Sequence, residues 1–315
     1  MNTSSHDEKF KDLLAKAEQG DADAQYNVGL CYKHGEGVDK DEQQAVFWFT
    51  KSADQGNAEA QYNVALCYHY GNGAVEDDKR AVYWYMKAAE QGDADAQNSL
   101  GFCYRHGEGV VKNYEKAVYW FTKAAEQGHA QGQNNLGFCY EHGEGVEEDK
   151  EEAVYWYTKA AKQGNAKAQN NLGFCYQDGE GVAQNKWRAV YWFMRSAKQG
   201  DAGGQTNLGY CYQHGIGVVE DNKRAVYWYT KAAEQGHARG QNNLGSCYFY
   251  GYGVKKDYEK AVFWFMKSAE QGDVGGQKNL GYCYQHGIGV AKDDAKAVIW
   301  YIESAQQGGT DDTKR

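Results

Sequence analysis

The sequence predicts an all-α protein built as an α/α solenoid, and three observations support this prediction. The pair Gln-Gly recurs at intervals of 36 residues from Gly20 to Gly308, with no insertion. Each interval holds two segments whose apolar residues follow helical spacing, and the chain contains no proline. A fixed period of this length is typical of repeat architectures. We therefore expect eight 36-residue helix-turn-helix repeats.

The repeats divide the chain into three parts. We predict an N-terminal capping helix in residues 1–20, eight repeats in 21–308 and a polar tail in 309–315. The first part resembles a lone second helix, but it carries Asp12 at the position of the periodic tryptophan and Lys9 at that of an alanine. Polar residues at these positions suit a cap that has nothing packed before it.

The first helix of each repeat has clear start and stop signals. Asp or Asn opens six of the eight repeats directly after the Gln-Gly pair, which is typical of a helix N-cap. In the fifth repeat the helix runs from Asn165 to Asp178, where Gly179 and Gly181 end it. The same pair of glycines recurs in all eight repeats, so we interpret these glycines as turns.

The second helix begins at another Asp or Asn and is more apolar. Ala225, Trp228, Tyr229 and Ala232 form one apolar face, and neighbouring Val and Tyr residues widen it. We therefore expect each second helix to lie between its own first helix and the next one. Each periodic tryptophan would then contribute up to about 5 kcal/mol of burial free energy. The predicted N-caps are Asp41, Asp77, Asn113, Asp149, Asn185, Asp221, Asp257 and Asp293.

Composition excludes several functional classes. An aromatic share of 15% is too high for a disordered segment. No long apolar run and no secretion signal are present, so we expect a soluble protein. With a net charge of -9 and dispersed basic residues, neither nucleic acid nor an anionic membrane is an expected partner.

Two recurring strings point to a known family. The segments AQNNLGFCYQDGEGV (168–182) and RAVYWFMRSAKQG (188–200) resemble the Sel-one-like repeat (SLR) family, relatives of the tetratricopeptide repeats. The resemblance covers 21–308. It implies a right-handed superhelix and a role as a non-catalytic adaptor or scaffold that binds other proteins.

Variable positions of the first helix suggest where a partner would bind. Counting each repeat from residue 21, positions 3, 6, 10, 13 and 14 vary and share one face, which we call the first-helix stripe. By analogy with tetratricopeptide repeats, this face is concave and would accept a peptide or an amphipathic helix. A second interpretation, that position 10 is half-buried against the adjacent first helix, remains open. The predicted partner-binding residues are Tyr26, Leu30, Tyr62, Leu66, Phe102, Arg105, Phe138, Glu141, Phe174, Gln177, Tyr210 and Tyr282.

The eight cysteines recur once per repeat. Equivalent atoms of stacked repeats should lie roughly 10 Å apart, beyond the reach of a disulfide, so we expect reduced thiols and a cytoplasmic protein. Five repeats read Cys-Tyr-x-His, such as Cys103 with His106. Two metal ligands at this spacing are conceivable, but a core cysteine beside a helix-ending histidine is the better explanation of the pattern, and we predict no metal or other cofactor.

No catalytic residues are predicted, because nearly every residue pattern recurs in all repeats and no Ser-x-x-Lys motif occurs. A weak hydrolase of the β-lactamase-like branch and a purely structural array remain the alternatives. Trp187 stands alone at a mostly charged position and is either a surface anchor or an incidental aromatic residue. The last helix carries Val298, Ile299 and Ile302, which we expect to form an exposed apolar end face open to self-association.

Overall fold

The computed structural model describes residues 3–308, with side chains from 8 to 306, and this part of the chain forms seventeen α-helices without a strand. Residues 1–2 and the predicted tail 309–315 lie outside the described residues. The first helices of the repeats are α2, α4, α6, α8, α10, α12, α14 and α16, and the second helices are α3, α5, α7, α9, α11, α13, α15 and α17. The helices are α1 (Thr3–Glu18), α2 (Ala22–His34), α3 (Glu42–Asp54), α4 (Ala58–Tyr70), α5 (Asp78–Glu90), α6 (Ala94–His106), α7 (Tyr114–Glu126), α8 (Ala130–His142), α9 (Lys150–Lys162), α10 (Ala166–Asp178), α11 (Lys186–Lys198), α12 (Ala202–His214), α13 (Asn222–Glu234), α14 (Ala238–Tyr250), α15 (Tyr258–Ala269), α16 (Val274–His286) and α17 (Asp294–Gly308).

The chain divides into two compact units within α9, the first ending at Trp156 and the second beginning at Tyr157. In each unit, a second helix packs against its own first helix and against the first helix of the next repeat, as predicted. At the start of the first unit, α1 packs on α2 through Phe10, Leu13 and Leu14. The solenoid of eight helix pairs predicted from the period is confirmed.

Both sets of helices begin at the predicted caps. Asp93 accepts a hydrogen bond from the Ala96 N–H at 2.7 Å, and Asp77 accepts one from the Arg80 N–H at 3.0 Å. His129, which the Asp/Asn pattern leaves without a cap, performs the same function because its Nδ1 accepts from the Gly132 N–H at 3.0 Å. The cap at this position therefore needs an acceptor atom rather than a particular residue type.

The two glycines after each first helix have different tasks. Gly107 ends α6 in the left-handed region with φ of 81°, and its N–H donates to the Cys103 carbonyl at 2.8 Å. Gly109 also has positive φ, and a Cβ atom there would collide with the Asp78 carbonyl at the start of α5. The second glycine thus allows the turn to touch the preceding repeat.

The most deeply buried ring is that of the residue after the tryptophan and not that of the tryptophan itself. Phe121 is fully buried, whereas its neighbour Trp120 is only half-buried. A Cβ atom on Gly101 of α6 would lie 2.6 Å from the Phe121 ring, so the glycine in the middle of this helix exists to let the ring approach. The residue after the periodic tryptophan is buried in seven of the eight repeats and forms the centre of the core, while Tyr301 in the last repeat is half-buried.

The second helices are also less enclosed than predicted. Tyr227 was expected to widen the buried face, but 54% of it is exposed. A basic residue one turn later covers each such ring in most repeats, as Lys231 Nζ does for Tyr227 at 6.0 Å. The outward residues of this row, here called the second-helix row, are Phe47, Tyr83, Tyr119, Tyr155, Tyr191, Tyr227 and Phe263.

A buried glutamine connects consecutive repeats. Gln97 of α6 donates from Nε2 to the Ala89 carbonyl in the last turn of α5 at 3.0 Å. Its Oε1 accepts a hydrogen bond from Gln127 Nε2, after α7, at 2.8 Å. One side chain thus binds the second helices on both sides of it. The glutamines that donate to an alanine carbonyl in this way are Gln25, Gln61, Gln97, Gln133, Gln169, Gln205 and Gln241.

No disulfide joins the eight cysteines, all of which lie within the described residues. Seven of them are buried, and Cys31 is half-buried. Burial raises the pKa of the Cys103 and Cys139 thiols to about 12 and that of Cys67 to about 11. These thiols are core residues that resist ionisation and therefore resist oxidation and alkylation.

Replacing Gln97 by alanine should lower the free energy of unfolding by about 1–3 kcal/mol, because the buried Ala89 carbonyl and the Gln127 amide each lose a partner. Urea unfolding followed by circular dichroism measures this change. The exposed Gln43 of α3 is the control, and its replacement by alanine should change stability by less than about 0.5 kcal/mol. Equal effects of both substitutions would contradict a role for the buried glutamine.

Native protein treated with a thiol reagent near pH 8 should show one accessible thiol, that of Cys31, and all eight should react after denaturation without reductant. The variant Cys31→Ser should lack the early reaction. Fewer than eight reactive thiols in the denatured protein would reveal a disulfide and overturn this expectation.

Candidate protein-interaction surface

The first-helix stripe lies where consecutive first helices come together. In the first unit α6 contacts α8 directly, and in the second unit α10 contacts α12, α12 contacts α14 and α14 contacts α16. Successive positions of the stripe are therefore neighbours within each unit, as a surface that follows a bound chain requires.

Both interpretations of position 10 that the sequence left open apply, each to different repeats. Phe102, Tyr210 and Tyr282 are exposed by 41%, 36% and 46% of their surface. Leu30, Leu66, Phe138 and Phe174 at the same position are half-buried. Phe174 lies edge-on to the core ring of Phe193, with ring centres 5.3 Å apart. Only some members of the predicted row are thus available to a partner.

The two tyrosines at position 6 mainly cover the core. Tyr26 lies 5.8 Å from the Phe49 ring, and Tyr62 lies 5.9 Å from the Tyr85 ring. Burial raises the pKa of both hydroxyls above the ordinary value. Part of each ring lies on the stripe, and the rest packs against the core.

Histidines at position 14 stack on the rings at position 10. His106 lies 4.2 Å from Phe102, and His142 lies parallel to Phe138 with ring centres 4.0 Å apart. The same contact joins His214 to Tyr210. Spacing of i, i+4 brings each pair together on one helix face. This stacking, which the Cys-Tyr-x-His pattern did not reveal, gives the histidines a structural role in the stripe.

The predicted polar rim is partly occupied by internal contacts. Arg105 pairs with Glu144 at 2.7 Å and lies over the Phe138 ring at 4.1 Å. Glu141 lies 3.6 Å from His142. Gln177 donates to Asp178 at 3.4 Å across the helix end. These side chains hold the edges of the stripe in place, and Arg105 in particular is fixed from two sides.

Asparagine pairs cross from one first helix to the next, and sequence reasoning missed them. Asn207 Nδ2 donates to Asn170 Oδ1 at 2.8 Å, and Asn279 donates to Asn242 at the same distance. In the first unit Asn135 bonds to Asn98 at 2.8 Å. The signal was present as asparagine at position 6 of one repeat followed by asparagine at position 7 of the next. These amides leave further donors and acceptors on the stripe.

Trp187 is 74% exposed at the start of α11. It lies beside Gly217, Val219 and Arg224 at the rim of a shallow depression. This position lies on the second helix, away from the first-helix stripe, and both interpretations of Trp187 remain predictions.

Among residues 3–308, no group of three His, Cys, Asp or Glu side chains is arranged to hold a metal ion. No helix of that range combines the length and the apolar character needed to cross a membrane.

Comparison with known proteins gives one family. The Sel1 repeat model matches eight consecutive stretches, 22–57, 58–93, 94–129, 130–165, 166–201, 202–237, 238–273 and 275–309. These stretches follow the repeats seen in the structure, with the first residue offset by one from Asp21. No curated protein matches the chain.

Two solved structures are similar over most of the chain. One is c5321, a protective antigen present in uropathogenic Escherichia coli strains that displays an SLR fold; it is 41% identical, with a TM-score of 0.77, over 95% of this chain. The chain spans 64% of the length of c5321. The other is a Sel1 repeat protein from Oxalobacter formigenes, 34% identical with a TM-score of 0.66, over 95% of this chain and 86% of that one.

Proposed function

This chain belongs to the Sel1 repeat family, and we propose that it is a non-catalytic scaffold that holds a partner protein on its first-helix stripe. Repeat proteins of this kind generally bind other proteins. The partner segment is a peptide or an amphipathic helix, because one side chain per repeat projects from the stripe at regular intervals.

Exposed rings at position 10 carry this proposal. Phe102, Tyr210 and Tyr282 each leave more than a third of their surface in water, although folding could have buried them against a neighbouring helix. Exposed aromatic residues flanked by polar groups are typical of interaction sites. The position 6 members of the asparagine pairs, Asn170 and Asn242, lie on the same face and suit the backbone of a bound chain.

A purely structural array is less consistent with this surface, because the stripe changes from repeat to repeat while the packing positions stay nearly constant. We propose no hydrolytic activity. The histidines that recur on the stripe lie against the rings at position 10, and the sequence shows no nucleophile and base that occur once in a special arrangement.

We also propose a reducing, cytoplasmic location. The support is chemical: eight thiols, seven of them buried, occur without a disulfide.

Replacing Phe102, Tyr210 and Tyr282 together by serine should remove partner capture, because the three most exposed rings at position 10 disappear. Proximity labelling or pull-down proteomics measures capture, and circular dichroism measures helix content, which should not change. The matched control replaces Tyr83, Tyr119 and Tyr227 of the second-helix row, which are at least as exposed, by serine. Loss of the same proteins from both variants, or from neither, would contradict the proposed surface.

The exposed apolar residues of α17 suggest a second contact. Val298, Ile299 and Ile302 are each exposed by more than half, and we propose that this end face pairs with a second copy of the chain.

Light scattering should therefore show a mass that rises with protein concentration, and the variant Val298→Glu with Ile302→Lys should stay monomeric. The apolar area removed from water drives the association, which these charges oppose. A monomer at high concentration of the unaltered protein would refute self-association through this face.

A further inference from the structure

The second unit contains a pocket whose lining differs in composition from the same place in the other repeats of that unit. It lies where α14, α15, α16 and α17 come together, with a volume of about 470 Å³, which falls in the range of pockets that take a side chain or small ligand. Its walls are formed by Phe249, Tyr250, Phe265, Lys278, Asn279, Tyr282, Tyr301 and Ser304.

Two exchanged residues distinguish the repeat that forms this pocket. At position 10, where the other seven repeats carry Leu, Phe or Tyr, α14 carries Ser246. At position 13, where the others carry polar residues, it carries Phe249. Phe249 is half-buried, with ring centres 4.9 Å from Tyr250 and 6.2 Å from Tyr282. Compared with the other repeats, the aromatic side chain of α14 is thus placed one helical turn later on the stripe, at the wall of the pocket.

Several polar atoms in the wall are already bonded. Tyr301 donates from its hydroxyl to Gln285 at 3.0 Å, and Ser304 donates to the Tyr301 carbonyl at 2.8 Å. Asn279 donates to Asn242 at 2.8 Å. Because five of the eight wall residues are aromatic, the pocket favours a large apolar side chain.

A cation stands at the rim. Lys278 is exposed and pairs with no acidic group among the described residues. Two more cations of the same stripe, Lys167 and Arg239, are exposed and likewise have no ion-pair partner in the described part of the chain. The only acidic residue of the stripe in this unit is Asp178.

The first unit has the opposite charge balance. Its stripe carries four acidic residues, Asp23, Glu59, Asp95 and Glu141. Its two cations are engaged, since Lys33 donates to Asn63 at 3.0 Å and Arg105 pairs with Glu144. The excess of unpaired positive charge is thus confined to the stripe of the second unit, although the whole chain is acidic.

We propose that the second unit recognises an acidic peptide segment that carries one large apolar side chain. The apolar side chain enters the pocket beside Phe249 and Tyr282, and a flanking carboxylate pairs with Lys278. Arg239 and Lys167 attract the remaining acidic residues along the stripe. This inference rests on the proposed scaffold function and adds the chemistry of the partner.

The probe is a fluorescein-labelled peptide of about a dozen residues, with glutamates around one central tryptophan and with both ends blocked so that no terminal carboxylate contributes. Two control peptides replace the tryptophan by serine or the glutamates by lysines. Fluorescence polarisation against the full chain should give a Kd for the acidic tryptophan peptide at least about tenfold lower than for either control. Binding should weaken as salt is raised. Equal binding of the three peptides would overturn the proposal.

The decisive variant is Lys278→Glu, because the residue is exposed and its replacement does not disturb packing. It should weaken binding of the acidic peptide by about tenfold or more and improve binding of the lysine peptide. Phe249→Ser should weaken both, with Phe249→Leu restoring part of the affinity. The matched control is Lys123→Glu, an exposed lysine of α7 beside the second-helix row of the first unit, and this variant should bind as the unaltered protein does.

The peptide inference and the scaffold function are contradicted by different results. If Lys278→Glu has no effect on any peptide while capture of partner proteins still depends on the stripe, this inference is wrong and the scaffold function stands. If capture is also insensitive to the stripe, the scaffold function itself is wrong. A second copy of the chain in this pocket would appear as self-association that Phe249→Ser removes and that Val298→Glu with Ile302→Lys leaves intact, and this result would also overturn the proposal.

Discussion

The hydrogen bonds of one buried glutamine in each of the first seven repeats are the interaction on which the rest of this structure depends. Gln97 reaches the Ala89 carbonyl before it and the Gln127 amide after it, so the positions of three consecutive helices are linked by one side chain. Apolar packing alone tolerates sliding between helices, whereas a buried amide has a single arrangement in which its donor and acceptor are both satisfied. Repetition of this bond sets the register of the repeats within each unit.

That register decides which side chains reach the surface. Because Gly101 lets the Phe121 ring lie against α6, the neighbouring tryptophan is displaced to the outer side and the residue before it points to water. On the face formed by the first helices, direct contacts between these helices bring the asparagines of successive repeats within hydrogen-bonding distance. The same close packing thus produces both the second-helix row and the first-helix stripe.

The two surfaces offer different possibilities for recognition. The second-helix row is nearly uniform, with an aromatic ring covered by a basic residue in most repeats, and so it distinguishes poorly between positions along the array. The first-helix stripe varies in charge, ring and amide content, and it differs between the two units. A surface that changes along its length can select one sequence over another, which is what specificity requires.

The repeat period, the helices, most of their caps, the glycine turns and the absence of disulfides could all be predicted from the sequence. Each of these features depends on neighbours within one repeat, where helical spacing and capping preferences act locally. The caps provided by His129 and His237 were the exception, since histidine is not a residue type that normally signals a helix start.

Features that depend on distances between helices were decided only by the tertiary structure. A helical wheel groups Trp120 and Phe121 on one apolar face, but only the approach of α6 determines that the phenylalanine lies at its centre. The wheel also places Arg105 at a rim without showing that Glu144, in another repeat, holds it there. The pocket beside Phe249 likewise exists because residues of four helices meet. Sequence periodicity describes the directions in which side chains point, whereas packing determines what they meet.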